Sequence, residues 1–106
     1  MYARRVSLTL KPNSRAEFTN LLETEIIPVL RKQKGFRDEI TVIAPERSEA
    51  VGTTFWDTKA DAQAYNTTGY PELLKTLLPV VEGTPKVETF EVANSTCHKI
   101  AAAQTV

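Results

Sequence analysis

The sequence predicts a small α+β domain in which one antiparallel sheet carries helices on a single face. Three observations predict it. Alternating apolar residues mark strands near both ends of the chain and in its middle. Helix-spaced apolar residues fill the two intervals between them. Proline, glycine and asparagine punctuate most of the joints. At 106 residues the chain has room for one domain, taken as 1–106, and too little for two ordinary ones.

Residues 2–10 alternate, with Val6, Leu8 and Leu10 on one side and Ala3, Arg5, Ser7 and Thr9 on the other. Pro12 and Asn13 end this strand. Ser14 and Glu17 then have the spacing of a capping box, in which each side chain satisfies an orphan backbone N–H. Phe18, Leu21, Leu22, Ile26, Val29 and Leu30 recur at helical spacing and make one stripe. Pro28 lies inside that pattern. It removes a donor, so a kink or a restart is expected there. Gly35 suits the position after a helix, where φ turns positive.

A second strand is expected over 36–44. Phe36, Asp38, Ile40, Val42 and Ala44 share one parity; Arg37, Glu39, Thr41 and Ile43 share the other. Residues 45–48 read as a turn, and 49–56 as a third strand closing a hairpin. There Val51, Thr53 and Phe55 oppose Ala50, Gly52, Thr54 and Trp56. Thr58 and Asp61 repeat the capping spacing, with Asp57 as a rival cap. Ala60, Ala64 and Tyr65 give the next helix a weak apolar face. Thr67-Thr68-Gly69 is expected to interrupt it, and Tyr70-Pro71 to restart it, with Pro71 at the first helical position. Leu73, Leu74, Leu77 and Leu78 pack the restart down. Alternation resumes over 85–93. The last ten residues show no pattern and are expected to fray or to drape over a partner.

Strand, helix, strand, strand, broken helix, strand is the βαββαβ order of a ferredoxin-like sandwich. If the apolar parities face the helices, the other sheet face carries Arg5, Ser7, Thr9, Thr41, Ile43, Thr54 and Trp56. Ile43 and Trp56 are costly to leave wet. A second subunit covers that face, or the face lines a pocket.

Composition excludes several classes. Lys plus Arg equals Asp plus Glu at 13 each, so no basic excess exists for phosphate neutralisation, and no nucleic-acid partner is expected. One cysteine rules out an intramolecular disulfide framework. No signal peptide and no long apolar span is evident, so the expected location is the cytoplasm and no membrane partner is expected. Phosphate-binding glycine motifs and the GxSxG nucleophile turn are absent. The single histidine, His98, adjoins the single cysteine, Cys97. Neighbours on a strand point to opposite faces, so the pair makes a poor nucleophile and base, and one His with one Cys makes a poor metal site. No metal and no cofactor is expected. Glu39 and Glu88 pair only if their strands bring them together, and solvent-side charges are the simpler reading.

Several segments together resemble the dimeric α/β-barrel superfamily, which includes the antibiotic-biosynthesis monooxygenase-like proteins. They are the helix ending in IIPVLRKQKGFRDEITV, the junction TTFWDTKADAQAY, the helix TTGYPELLKTL and the closing strand GTPKVETFEV. The pattern at Trp56, Thr58, Asp61 and Ala62 is the most distinctive piece. The resemblance implies that two ferredoxin-like units pair through their sheets into a barrel, which answers the uncovered face. The haem-degrading branch of the group uses a first-strand Asn, this Trp and a His ten residues later. Here the later position is Asn66 and the first strand has no Asn, so haem degradation is disfavoured.

What the resemblance implies for function is a cofactor-independent monooxygenase-like activity on a small planar aromatic substrate, in a pocket between sheet and helices. Trp56, Asn66 and Arg5 are the catalytic candidates; Ser7, Thr54, Tyr65 and Tyr70 are the substrate-binding ones. Trp56 either stacks on the substrate or fills the interior as structure. Arg5 would hold an anionic group or a peroxide-like intermediate. Gly52, inside a strand, either marks close backbone approach or makes room for Trp56 or a ligand. The alternative is a non-catalytic homodimer of the same fold that binds a small ligand or acts structurally. It predicts a filled interior or a pocket without a proton-transfer group.

Overall fold

The computed structural model describes residues 1–100. Its elements run β1 (Tyr2–Leu10), α1 (Arg15–Leu21), a π-helical turn (Leu22–Ile26), α2 (Ile27–Leu30), β2 (Phe36–Ala44), β3 (Glu49–Trp56), α3 (Lys59–Leu77), a short 3₁₀ turn (Leu78–Val80) and β4 (Val81–Glu91). The strands form one antiparallel sheet in the order β2-β3-β1-β4. The helices cover one face of it. This is the ferredoxin-like βαββαβ sandwich.

Local chemistry explains most of the boundaries. Ser14 sits at the N-cap of α1 but makes no side-chain cap bond, so the expected box with Glu17 does not form. The Ser14 carbonyl instead accepts from the Phe18 N–H at 2.8 Å. The disturbance expected at Pro28 takes the form of the π-helical turn before it. The Ile27 N–H reaches back five residues to the Leu22 carbonyl. A widened turn makes room for a proline ring that would crowd the carbonyl four residues earlier. Gly35 has φ +80°, as its place after the helix requires.

The break expected at Thr67-Thr68-Gly69 does not occur; α3 is continuous over 19 residues. Thr58 caps it by accepting from the Asp61 N–H at 3.1 Å. The Thr67 and Thr68 hydroxyls donate back to the carbonyls of Gln63 and Ala64 at 3.0 and 2.8 Å, which lets hydroxyl residues sit mid-helix. Gly69 is held by packing. A Cβ there would lie 2.8 Å from Cδ1 of Tyr65, so only glycine leaves space for that ring. Tertiary packing of Ala62, Tyr65, Leu73 and Leu77 thus overrides local propensity.

The core joins Leu8 and Leu10 to Phe18, Ile26, Leu30, Trp56, Tyr65, Leu73, Leu77 and Val80. The strand faces differ from expectation in β2 and β3. Val6 and Leu8 do face the helices. The register sets Val6 opposite Gly52, Arg4 opposite Thr54, and Thr54 opposite Glu39. Hence Thr54 and Trp56, expected on the uncovered face, lie under the helices, as do Thr41 and Ile43. A bulge between Phe36 and Asp38 puts Phe36 opposite Trp56 and turns Asp38 to the other side. The uncovered face holds Ile40 and Val42, each 58% exposed, and Phe90 at 44%. Of the patternless tail, residues 101–106 lie outside the described residues. Before them, Ile100 is buried and His98 pairs with the Asp38 carboxylate.

Candidate functional site

Between the sheet and the helices lies a cavity of about 70 Å³. Its sheet wall comes from Arg4, Val6, Leu8, Glu39, Thr41, Gly52 and Thr54. Phe18, Leu22, Ile26 and Leu30 close it from the first helical region, two of them from the π-helical turn. Tyr65, Tyr70, Leu73, Leu74 and Leu77 close it from α3. Gly52 contributes the space that a side chain would fill; a Cβ there would first meet the Thr41 hydroxyl, at 3.4 Å.

The wall is mostly apolar, so its few polar groups stand out. Arg4 is 2% exposed. Its Nη2 donates to the Asn66 Oδ1 at 2.7 Å, and its guanidinium carbon lies 3.9 Å from the Tyr70 ring centre and 5.3 Å from that of Tyr65. Its Nε has no partner. Burial holds the guanidinium below its ordinary pKa, an effect that Tyr65 and Tyr70 partly offset. Arginine nevertheless stays charged. Burial, more than the neighbouring Tyr70, pushes the Tyr65 phenol up to about 12, against an opposing pull from Arg4. Tyr65 is therefore a neutral hydroxyl at any physiological pH. Glu39 is the one carboxylate in the lining, and it accepts a hydrogen bond from the Thr41 hydroxyl.

Arg4 also lines a second, mixed groove of about 380 Å³, with Tyr2, Lys59, Ala62, Gln63, Asn66, Val87 and Thr89. Arg4 therefore borders both the apolar cavity and this groove.

Of the residues the sequence singled out, Thr54, Tyr65 and Tyr70 meet in the cavity wall. Trp56 is fully buried behind it. Its ring stacks on Tyr65 at 4.8 Å and 27°, meets Phe36 edge-on at 5.6 Å, and its Nε1–H donates to the Thr54 hydroxyl at 2.9 Å. It orders two wall residues without reaching the open space. Asn66 stands in the groove, on Arg4. Arg5 and Ser7 are on the opposite face of the sheet, because their parity in β1 is that of Ala3. There Arg5 pairs with Glu88 at 2.7 Å, and this hydrogen bond holds the Glu88 carboxyl below its usual range. Glu39 and Glu88 occupy opposite edge strands and opposite faces. Cys97 is exposed.

Arg4 and Glu39 were missed as site residues. Arg4 shares the parity of Val6, Leu8 and Leu10, and a lone arginine in an apolar stripe was the available signal. Glu39 shares that of Thr41 and Ile43, and only the register reveals which way they face.

This architecture defines a class. The chain has the fold of the antibiotic biosynthesis monooxygenase-like proteins, and shares it with a structure of unknown function. Among particular structures, it is similar to NE2512 from Nitrosomonas europaea, a protein of unknown function, with 20% identity, coverage of 90% of this chain and 91% of that one, and a TM-score of 0.74. It is similar to a mutant of SnoaB, a cofactor-independent oxygenase from Streptomyces nogalater, with 13% identity, coverage of 92% and 97%, and a TM-score of 0.73. It is also similar to the ActVA-Orf6 monooxygenase of Streptomyces coelicolor in complex with nanaomycin D, with 14% identity, coverage of 89% and 88%, and a TM-score of 0.69. No family model matches the sequence, and no curated protein does. Among the described residues, no helix is long and apolar enough to cross a membrane.

Proposed function

We propose that this protein is a cofactor-independent monooxygenase-like enzyme that takes a small planar aromatic substrate into the cavity between sheet and helices. The observation that carries the reading is Glu39. It is a proton acceptor in the wall of a mostly apolar cavity, beside the hydroxyls of Thr41 and Thr54 and the neutral phenol of Tyr65. The fold shared with a cofactor-independent oxygenase supports the same direction.

The substrate must supply the electrons. An electron-rich phenol does so once its hydroxyl proton passes to Glu39, because the phenolate is the better reductant. One atom of O₂ then enters the ring as a quinone oxygen and the other leaves as water, with four electrons taken from the substrate. The Tyr65 hydroxyl orients the ring and stabilises its developing anion, while the Thr41 hydroxyl holds Glu39 and the Thr54 hydroxyl is engaged by Trp56 and the Arg4 carbonyl. Trp56 serves by fixing Thr54 and Tyr65. Size restricts the substrate. An engineered apolar cavity of about 150 Å³ takes one benzene ring. At about 70 Å³ this cavity accepts a single ring after modest side-chain movement, and not a fused tricycle.

The active form proposed is a homodimer joined through the uncovered sheet face, where Ile40, Val42 and Phe90 expose apolar surface. The small cavity also favours a second reading, a non-catalytic homodimer of the same fold that binds a small ligand. Oxygen consumption with a panel of one-ring dihydroxyaromatics separates the two. The enzyme consumes O₂, and Glu39→Gln lowers the rate by about 10²–10⁴ while the fold is kept. No uptake with any member, or full uptake in Glu39→Gln, removes the catalytic role of Glu39.

A further inference from the structure

We propose that Arg4 is the anchor for a carboxylate on the ligand, so that the site takes aromatic acids in preference to neutral phenols. The inference rests on the cavity reading for the place of the ring; the place of the acid group follows from Arg4 itself.

A guanidinium that is 2% exposed is expensive to bury unless an anion pairs with it. Among the described residues Arg4 makes no ion pair; those present join surface side chains or His98. What Arg4 does have is one amide oxygen, two tyrosine faces and a side-chain hydrogen bond with Tyr70, all of them neutral. Ring faces compensate a cation only in part. Its Nε, fully enclosed, donates to nothing. Glu39, the carboxylate of the cavity wall, is bonded to Thr41 and not to Arg4, so the arrangement is a charge with no paired anion.

The surroundings define that partner. The groove on the outer side of Arg4 is lined by a second cation, Lys59, and by no carboxylate. It attracts an anion, and the planar guanidinium matches a carboxylate once Asn66 gives way and the fork is uncovered. One arginine and one amide suit a monoanion better than a phosphate, which would need more donors. On its inner side Arg4 borders the apolar cavity. A ligand held by its acid at Arg4 therefore lays its ring toward Gly52 and Leu74, past Tyr65 and Tyr70. The task that the sequence assigned to Arg5 falls to its neighbour on the covered face.

The test is calorimetric titration with 4-hydroxybenzoate and with its neutral amide, without oxygen. The wild type should bind the acid at least about tenfold more tightly than the amide. Arg4→Met should bind the two equally. Asn66→Asp supplies the missing anion from within the protein. It should abolish acid binding and raise Tm by about 4 °C. Because Asn66 is exposed, this variant keeps the test valid if Arg4→Met fails to fold. Equal affinity for acid and amide in the wild type, no acid binding at millimolar concentration, or undiminished acid binding in Asn66→Asp overturns the proposal. Oxygen uptake distinguishes the two readings. Acid binding without turnover refutes the oxygenase and keeps the anchor. Turnover of neutral phenols with no preference for acids does the reverse.

Discussion

Replacing Trp56 with Phe separates a structural tryptophan from a catalytic one. Trp56 has no exposed surface and lies between Phe36 and Tyr65. Phe retains one ring of the stack and loses the other. Complete truncation of a buried tryptophan costs about 3–5 kcal/mol, and a change that keeps one ring costs about 1–2 of that. The indole N–H also donates to the Thr54 hydroxyl at 2.9 Å, and losing that bond inside the core adds about 1 kcal/mol. The sum is about 2–3 kcal/mol, a large share of the stability of a domain this size. Urea unfolding followed by far-ultraviolet circular dichroism should show the midpoint falling by about 1 M or more. Turnover measured well below the transition should stay within about tenfold of the wild type. A midpoint unchanged within about 0.3 M together with a larger loss of turnover would refute the reasoning, since it would put Trp56 against the substrate.

Three further outcomes follow from the same contacts. Gly69→Ala would gain about 1 kcal/mol in an ordinary helix, but its Cβ meets Tyr65 at 2.8 Å, so a net fall in Tm is expected by differential scanning calorimetry. Tyr65 should make stability depend on alkaline pH. Its folded pKa of about 12 lies above the unfolded 10.0, so its contribution is complete below pH 10 and is lost as pH rises to about 12. The full span of two units is about 3 kcal/mol, of which about 2 kcal/mol falls between pH 9 and pH 11.5, to be read from urea midpoints at those two pH values in the wild type and in Tyr65→Phe, where the dependence should shrink. Ile40→Glu should turn the proposed dimer into a monomer by sedimentation velocity; a wild type that is already monomeric contradicts the sheet-face interface.

The order of elements was legible because each strand and helix advertises its own period. Thr58 with Asp61 and the positive φ of Gly35 were legible for the same reason, being local chemistry. The faces of β2 and β3 were not. Alternation shows that two sets of side chains diverge, but register decides which set goes under the helices. In β2 both sides of the sheet call for apolar residues. Ile40 and Val42 therefore go to the uncovered face, while Glu39 and Thr41 go to the cavity. The bulge after Phe36 further hides the change of parity. Gly69 misled because a mid-helix glycine reads as a breaker, whereas here it makes room for Tyr65 from one turn away. The cavity wall was half legible: Thr54, Tyr65 and Tyr70 were found, and Arg4 was passed over for Arg5 one residue along.

The location of the site is tested most directly by amide chemical shifts on titrating the ¹⁵N-labelled protein with 4-hydroxybenzoate. A substrate cavity between sheet and helices predicts the largest changes at Arg4, Val6, Gly52, Tyr65 and Leu74. Changes confined to Ile40, Val42 and Phe90 on the uncovered face, with those five unmoved, would contradict it.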